Sequence, residues 1–223
     1  HDLKTPLNGI IGLPDILKME GGLNQEQLSL LDIIEKSGQD MLHMIDFSLD
    51  FFKMETGRYE YEPVAVDVID VLESISGQKQ SQMMAMKISL IMTLDGTPIE
   101  DDSKFYVPSQ RRLLLSMLGN FMTNALEASP ENSMIEIDLH HGNPTIIVIR
   151  NRGAVPKDMR KSFFRKYSTS GKTHGTGLGT YSAKVIADAM GYELQMQTWD
   201  KEDMTEVRVV IPGNHNINKG LCN

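Results

Sequence analysis

Over the first 56 residues the apolar side chains recur at helical spacing, with one break at Gly21-Gly22. Leu3, Leu7, Ile10, Ile11 and Leu17 mark a first helix over residues 1–20, strained or bent by Pro6 and Pro14. Asn24 followed three residues later by Gln27 is an N-terminal capping signal. Leu28, Leu31, Ile34, Met41, Leu42, Ile45, Leu49 and Phe52 then carry a second helix to about Thr56. Two helices joined by a short turn make an antiparallel hairpin. Such a hairpin buries little by itself, so it must pack on a second copy as a four-helix bundle or on the rest of its own chain.

Gly57 ends the hairpin, and residues 57–66, around Pro63, read as a linker. A different pattern follows. A helix is expected over 68–86, a strand over 87–94 and a polar loop over 96–103. A helix capped by Ser109 is expected over 109–128, stopped by Pro130. Residues 134–139 alternate as a half-buried strand, turn at Gly142-Asn143-Pro144 and return over 145–150. Residues 177–190 read as a helix closed by Gly191, and 193–199 with 207–211 as a last hairpin. The expected class is α+β: a helical hairpin over 1–56, a linker over 57–66, a second domain over 67–213 and a polar tail over 214–223.

Composition narrows the functions. The 223 residues are 40% apolar and 23% charged, as in globular chains. Cys222 is the single cysteine, so no internal disulfide can form. No run approaches a membrane span and the first residues are no signal peptide. The net charge of −8 argues against nucleic acid as a partner. That average conceals residues 150–172, which carry a net +7 against −15 elsewhere. A basic island in an acidic chain is either a solvated loop or a seat for a small anion.

Three groups of residues carry chemistry. In His1-Asp2-Leu3-Lys4-Thr5-Pro6-Leu7, a carboxylate beside an imidazole can fix its tautomer and raise its nucleophilicity. Asn120 and Asn124 stand four apart on one helix face among Leu114, Leu118, Phe121 and Leu126. Amides near an apolar face need partners: neighbouring backbone, or a hard cation such as Mg2+ to which they give oxygen. Gly175-Thr176-Gly177-Leu178-Gly179 opens a helix, where backbone amides can approach phosphate. Walker A would need glycine at Lys166, and a dinucleotide fingerprint would need glycine at Thr180 with a strand just upstream. Neither pattern is present.

In order and spacing these pieces resemble the sensor histidine kinases of two-component systems. The run His1–Leu7 resembles the H box and 120–125 the N box. Asn151-Arg152-Gly153 resembles the first glycine box, Phe163-Phe164-Arg165-Lys166-Tyr167 the F box and 175–179 the second glycine box. The resemblance implies a dimeric four-helix bundle followed by an α/β-sandwich ATP-binding domain of the GHKL or Bergerat type, shared with gyrase, chaperone and mismatch-repair ATPases. It implies that His1 attacks the γ-phosphate of ATP with Asp2 as its orienting base. Thr5 would serve dephosphorylation of the response regulator. Asn124, with Asn120, would hold Mg2+, and Arg165, Lys166 and Lys172 would contact phosphate. Gly175, Thr176, Gly177, Leu178 and Gly179 would cradle it, and Asn151, Gly153 and Thr205 would lie at the adenine.

The implied partners are a second copy, a receiver domain and an upstream sensor domain outside these residues. The implied location is cytoplasmic, with any anchor elsewhere in the protein. Two departures stand out: Asn151 occupies the place of an aspartate that accepts from the adenine amino group, and Val155 replaces the box's second glycine. A neutral acceptor lowers ATP affinity by roughly fivefold. The alternatives are a degenerate nucleotide-binding dimerisation module that signals by conformation, and a related ATPase without phosphohistidine chemistry. His141 beside His140 lacks a third ligand for zinc.

Overall fold

The computed structural model describes residues 4–167 and 178–213. The chain divides into two compact units, His1–Tyr59 and Glu60–Asn223.

The first unit is the helical hairpin, α1 (Lys4–Glu20) and α2 (Gln25–Glu55). Gly21 and Gly22 both take left-handed φ (75° and 77°), the conformation glycine adopts at little cost. The Asn24 side chain accepts from the Gln27 backbone N–H, and the Gln27 side chain accepts from the Asn24 N–H, each at 2.9 Å. This reciprocal pair satisfies two helix-end donors and fixes where α2 begins. At Gly38 a Cβ would lie 2.6 Å from Ile11 Cγ1, so a glycine lets α2 approach α1. Lys18 bridges the two helices through Asp32 (2.8 Å) and Glu35 (2.9 Å), and these carboxylates hold its ammonium above the ordinary lysine range. Leu7 and Leu31 are buried, yet Ile10, Leu13, Ile16, Leu17, Leu30 and Ile33 remain exposed.

The second unit is a sheet with helices on one face. Its six strands run β3 (Thr97–Pro98), β2 (Ser89–Leu94), β5 (Met134–His140), β6 (Thr145–Arg152), β8 (Met204–Ile211), β7 (Glu193–Trp199). Among the described residues only the β2–β5 pair is parallel. A second small sheet pairs β1 (Val64–Asp67) with β4 (Tyr106–Ser109). The helices are α3 (Val68–Met86), α4 (Arg111–Ala128) and α5 (Gly179–Met190). Alternation makes the core: Ile135, Ile137 and Leu139 of β5, with Ile147 and Ile149 of β6, are buried on one face. Leu114, Leu118, Phe121 and Leu126 of α4 are buried as well.

The opposite face carries ionic side chains. Arg150 donates from Nε to Glu206 at 2.5 Å and from a terminal nitrogen to Asp138, which also accepts from Thr93 Oγ1 at 2.5 Å. Arg208 donates to the other Glu206 oxygen at 2.5 Å. Burial opposes the Arg150 charge, but Glu206 and Asp138 outweigh it and hold the guanidinium above its usual value. Each buried charge on this face therefore has a partner.

Several sequence expectations change: β1 begins within residues 57–66, β3 within 96–103, and α5 begins at Gly179. Ser109 does not cap α4. It ends β4, fully buried, and its hydroxyl meets Met190 Sδ and the Gln110 carbonyl, both at 3.4 Å. The helix begins at Arg111 behind an extended Gln110 that makes no side-chain cap. Lys87 is the left-handed C-cap of α3 (φ 53°), so β2 starts only at Ser89. The strand expected over 145–150 runs on to Arg152 and the one expected over 207–211 begins at Met204, which puts Asn151 and Thr205 inside the sheet.

Candidate functional site

The site is built along one stripe of α4. Asn120, Asn124 and Ala128 are spaced by four residues and share a face over about 12 Å of helix. Gly179, the first residue of α5, lies over the two amides. A Cβ there would sit 3.5 Å from Asn120 Oδ1 and 3.9 Å from Asn124 Nδ2. Asn124 Nδ2 is buried and, among the described residues, has no hydrogen-bond partner. Such an atom costs free energy unless a ligand meets it. Leu178, at the α5 N-cap, makes no side-chain cap, so its side chain does not compete for the positive end of the helix dipole.

At the other end of the stripe, Gly153 has φ 104° and meets Ala128. A Cβ at Gly153 would lie 2.5 Å from the Ala128 carbonyl oxygen. The Gly153 N–H donates to Asp203 O and the Ala154 N–H to Asp203 Oδ1, each at 2.8 Å. Asn151 and Thr205 face each other across β6 and β8, 8% and 4% exposed. Thr205 Oγ1 donates to Gly153 O at 2.7 Å and lies 3.2 Å from Thr198 Oγ1, which accepts from the Val155 N–H at 3.1 Å. Asn151 Nδ2 donates to Arg152 O at 2.5 Å. That bond directs the amide oxygen away from the carbonyl and fixes it as the acceptor end. The stripe thus has an amide-and-glycine end and a polar, buried strand end.

The basic island divides. Arg150 pairs with Asp138 and Glu206, while Lys157 and Arg160 pair with Asp200. Those acids come from β5, β8 and the turn after β7, so much of the +7 is neutralised by the surrounding fold. Phe163 and Phe164 stack edge to face, centroids 5.0 Å apart, ahead of Arg165 and Lys166. Lys166 Nζ stands 5.3 Å from the Tyr181 ring centroid and 5.9 Å from that of Tyr167. No motif in the sequence marks Tyr181 or Thr198. The first hides in an ordinary helix turn, and the second is revealed only by its register opposite Thr205.

The structure brings Asn120, Asn124, Leu178 and Gly179 together, and Asn151, Gly153 and Thr205 together. His1, Asp2, Lys172, Gly175, Thr176 and Gly177 lie outside the described residues. Thr5 is placed only as part of the first turn of α1. Among the described residues no cluster of three or more His, Cys, Asp or Glu could hold a metal. The groups that would fit a hard cation are the oxygens of the two amides, with phosphate and water needed to complete a shell.

A cleft of about 710 Å3 opens at the strand end among Glu131, Glu136, Arg150, Arg152, Glu202 and Met204. Three carboxylates in that lining suit a polyphosphate poorly.

Residues 1–57 match the family described as His Kinase A (phospho-acceptor) domain. Residues 109–215 match the histidine kinase-, DNA gyrase B- and HSP90-like ATPase. Among curated relatives, histidine protein kinase DivJ of Caulobacter vibrioides is 27% identical over 207 residues, covering 89% of this chain and 34% of the relative. Sensory/regulatory protein RpfC of Xanthomonas campestris pv. campestris is 25% identical over 213 residues, covering 86% and 27%. The chain thus spans about a third or less of the length of these relatives.

Full-length ShkA, solved with AMPPNP, superposes with a TM-score of 0.64 at 21% identity, over 95% of this chain and 44% of that one. Acinetobacter baumannii histidine kinase AdeS gives 0.60 at 17% identity, over 96% and 98%. These likenesses support the fold. Among the described residues no helix is long and apolar enough to cross a membrane. With a phosphoacceptor domain followed by an ATP-binding catalytic domain, in the order that the structure displays as hairpin and sandwich, the chain belongs to the sensor histidine kinases.

Proposed function

We propose that this chain is the autokinase core of a two-component system, binding Mg·ATP along the α4 stripe and phosphorylating His1. The observation that carries the proposal is the orphaned Asn124 amide, buried beneath the first residue of α5. A phosphate oxygen can accept from the Asn124 Nδ2 that lacks an acceptor, and the oxygen of the same amide is then turned to the cation. Asn124, with Asn120 beside it, offers the oxygen for Mg2+. The α5 amides and the Lys166 ammonium receive phosphate oxygens, with Arg165 and Lys172 as further cations by motif. Asn151 and Thr205 bound the purine end.

Magnesium supplies charge neutralisation on the phosphates. The protein's own part is positioning. Asp2 orients the His1 imidazole, one ring nitrogen attacks the γ-phosphorus, and the bond to the β–γ bridging oxygen breaks to release ADP. The phosphoryl group then passes to a receiver-domain aspartate, and Thr5 serves the reverse, hydrolytic traffic. ATP and the receiver place this chain in the cytoplasm, and the exposed apolar face of the hairpin is covered by a second copy.

Incubation with γ-labelled ATP tests this directly. The label should be acid-labile, base-stable and absent from His1→Ala. An unlabelled wild type that is dimeric and folded contradicts it.

A further inference from the structure

The Lys166 side chain occupies an electrostatically awkward place. Its ammonium sits against Tyr181, in the first turn of α5, two residues beyond the glycine that covers Asn120 and Asn124. A cation near a helix N-terminus works against the dipole. Two ring faces offset that cost, Tyr181 at 5.3 Å and Tyr167 at 5.9 Å, both within cation–π range. Tyr167, itself 71% exposed, contributes its ring from a left-handed backbone (φ 62°), an uncommon conformation for a bulky residue. The Lys166 ammonium thus lies against the first turn of α5, whose first residue, Gly179, covers Asn120 and the orphaned amide of Asn124.

We propose that Tyr181 is a positioning residue for the phosphate chain of the nucleotide, with Tyr167 forming the other half of an aromatic clasp that stations Lys166 over the first turn of α5. The proposal rests on the nucleotide-binding reading above. The clasp reduces the rotamer freedom that a long lysine must lose when it meets an anion, so its benefit appears only for ligands whose phosphates reach α5. A nucleoside triphosphate profits from it. A monophosphate, held chiefly at the Asn151 end, does not.

The test is calorimetric titration of the whole chain, in magnesium, with ATP and separately with AMP. Tyr181→Leu should bind ATP about 5-fold more weakly and AMP as the wild type does. Tyr181→Phe, which keeps the ring, should restore ATP affinity. In a Lys166→Met background Tyr181→Leu should cost nothing further. Equal losses for ATP and AMP, unchanged ATP affinity in Tyr181→Leu, or additive losses in the double variant would overturn the clasp. AMP binding reports that a variant is folded. A wild type that binds no ATP overturns the nucleotide reading itself, an outcome distinct from a wild type that binds and a variant that does not differ from it.

Discussion

Gly153 and Ala128 touch backbone to backbone: a Cβ on Gly153 would stand 2.5 Å from the Ala128 carbonyl oxygen, and the glycine's φ is 104°. The contact seats the end of β6 on the last turn of α4, one helical turn beyond Asn124. It thereby joins the strand that carries Asn151 to the helix that carries both amides. Gly153→Ala meets a strained φ and a backbone clash together. A loss of about 3 kcal/mol in unfolding free energy is expected, read from the urea midpoint.

Asn124→Ala separates stability from function. Removing an amide with an unpartnered nitrogen removes a desolvation cost, so thermal stability should hold or rise by about 1 kcal/mol. Mg·ATP affinity should fall by more than about 10-fold, and the difference from wild type should shrink in EDTA. A variant that lost stability and kept its affinity would assign Asn124 to the core.

The hairpin predicts an assembly. Leu13 is 56% exposed and Ile33 59%, on helices whose partner face is otherwise short of burial. Leu13→Glu should convert a sedimenting dimer to a monomer while the helical circular dichroism of the catalytic unit is retained.

Acid stability has a local contributor. The His141 side chain, at 2.8 Å, and its backbone N–H, at 2.9 Å, hold the Asp95 carboxyl below its ordinary 3.8. A carboxylate with a depressed folded value stabilises above the unfolded value and loses that contribution as pH falls through the folded one. The pair is exposed, so the effect is small. Asp95→Asn should therefore lose slightly less stability than wild type between pH 6 and pH 3 in urea titrations. Asparagine also tolerates the left-handed φ of 49° at this position.

The sequence disclosed what depends on local period and local chemistry. Asn24 with Gln27 marked the start of α2, alternation over 134–139 marked β5, and Asn120 with Asn124 marked a stripe on α4. It misled where distant residues decide. Ser109 has the look of a cap, but Val107 and Phe105 pull its strand inward until its hydroxyl faces Met190. Strand β4 is only four residues long and contains Pro108, so alternation could not announce it. The basic island looked like one anion seat, yet Asp138, Glu206 and Asp200 reach it from elsewhere and claim three of its cations. The Gly153–Ala128 contact and the ring face of Tyr181 under Lys166 join residues 15 or more apart, beyond any local pattern.

A crystal structure of the chain with Mg·AMPPNP tests the account most directly. The metal should lie about 2.1 Å from Asn124 Oδ1, with the phosphates at the first turn of α5 and the purine against Asn151 and Thr205. Nucleotide density in the cleft of Glu131, Glu136 and Arg150, with Asn124 left untouched, would contradict it.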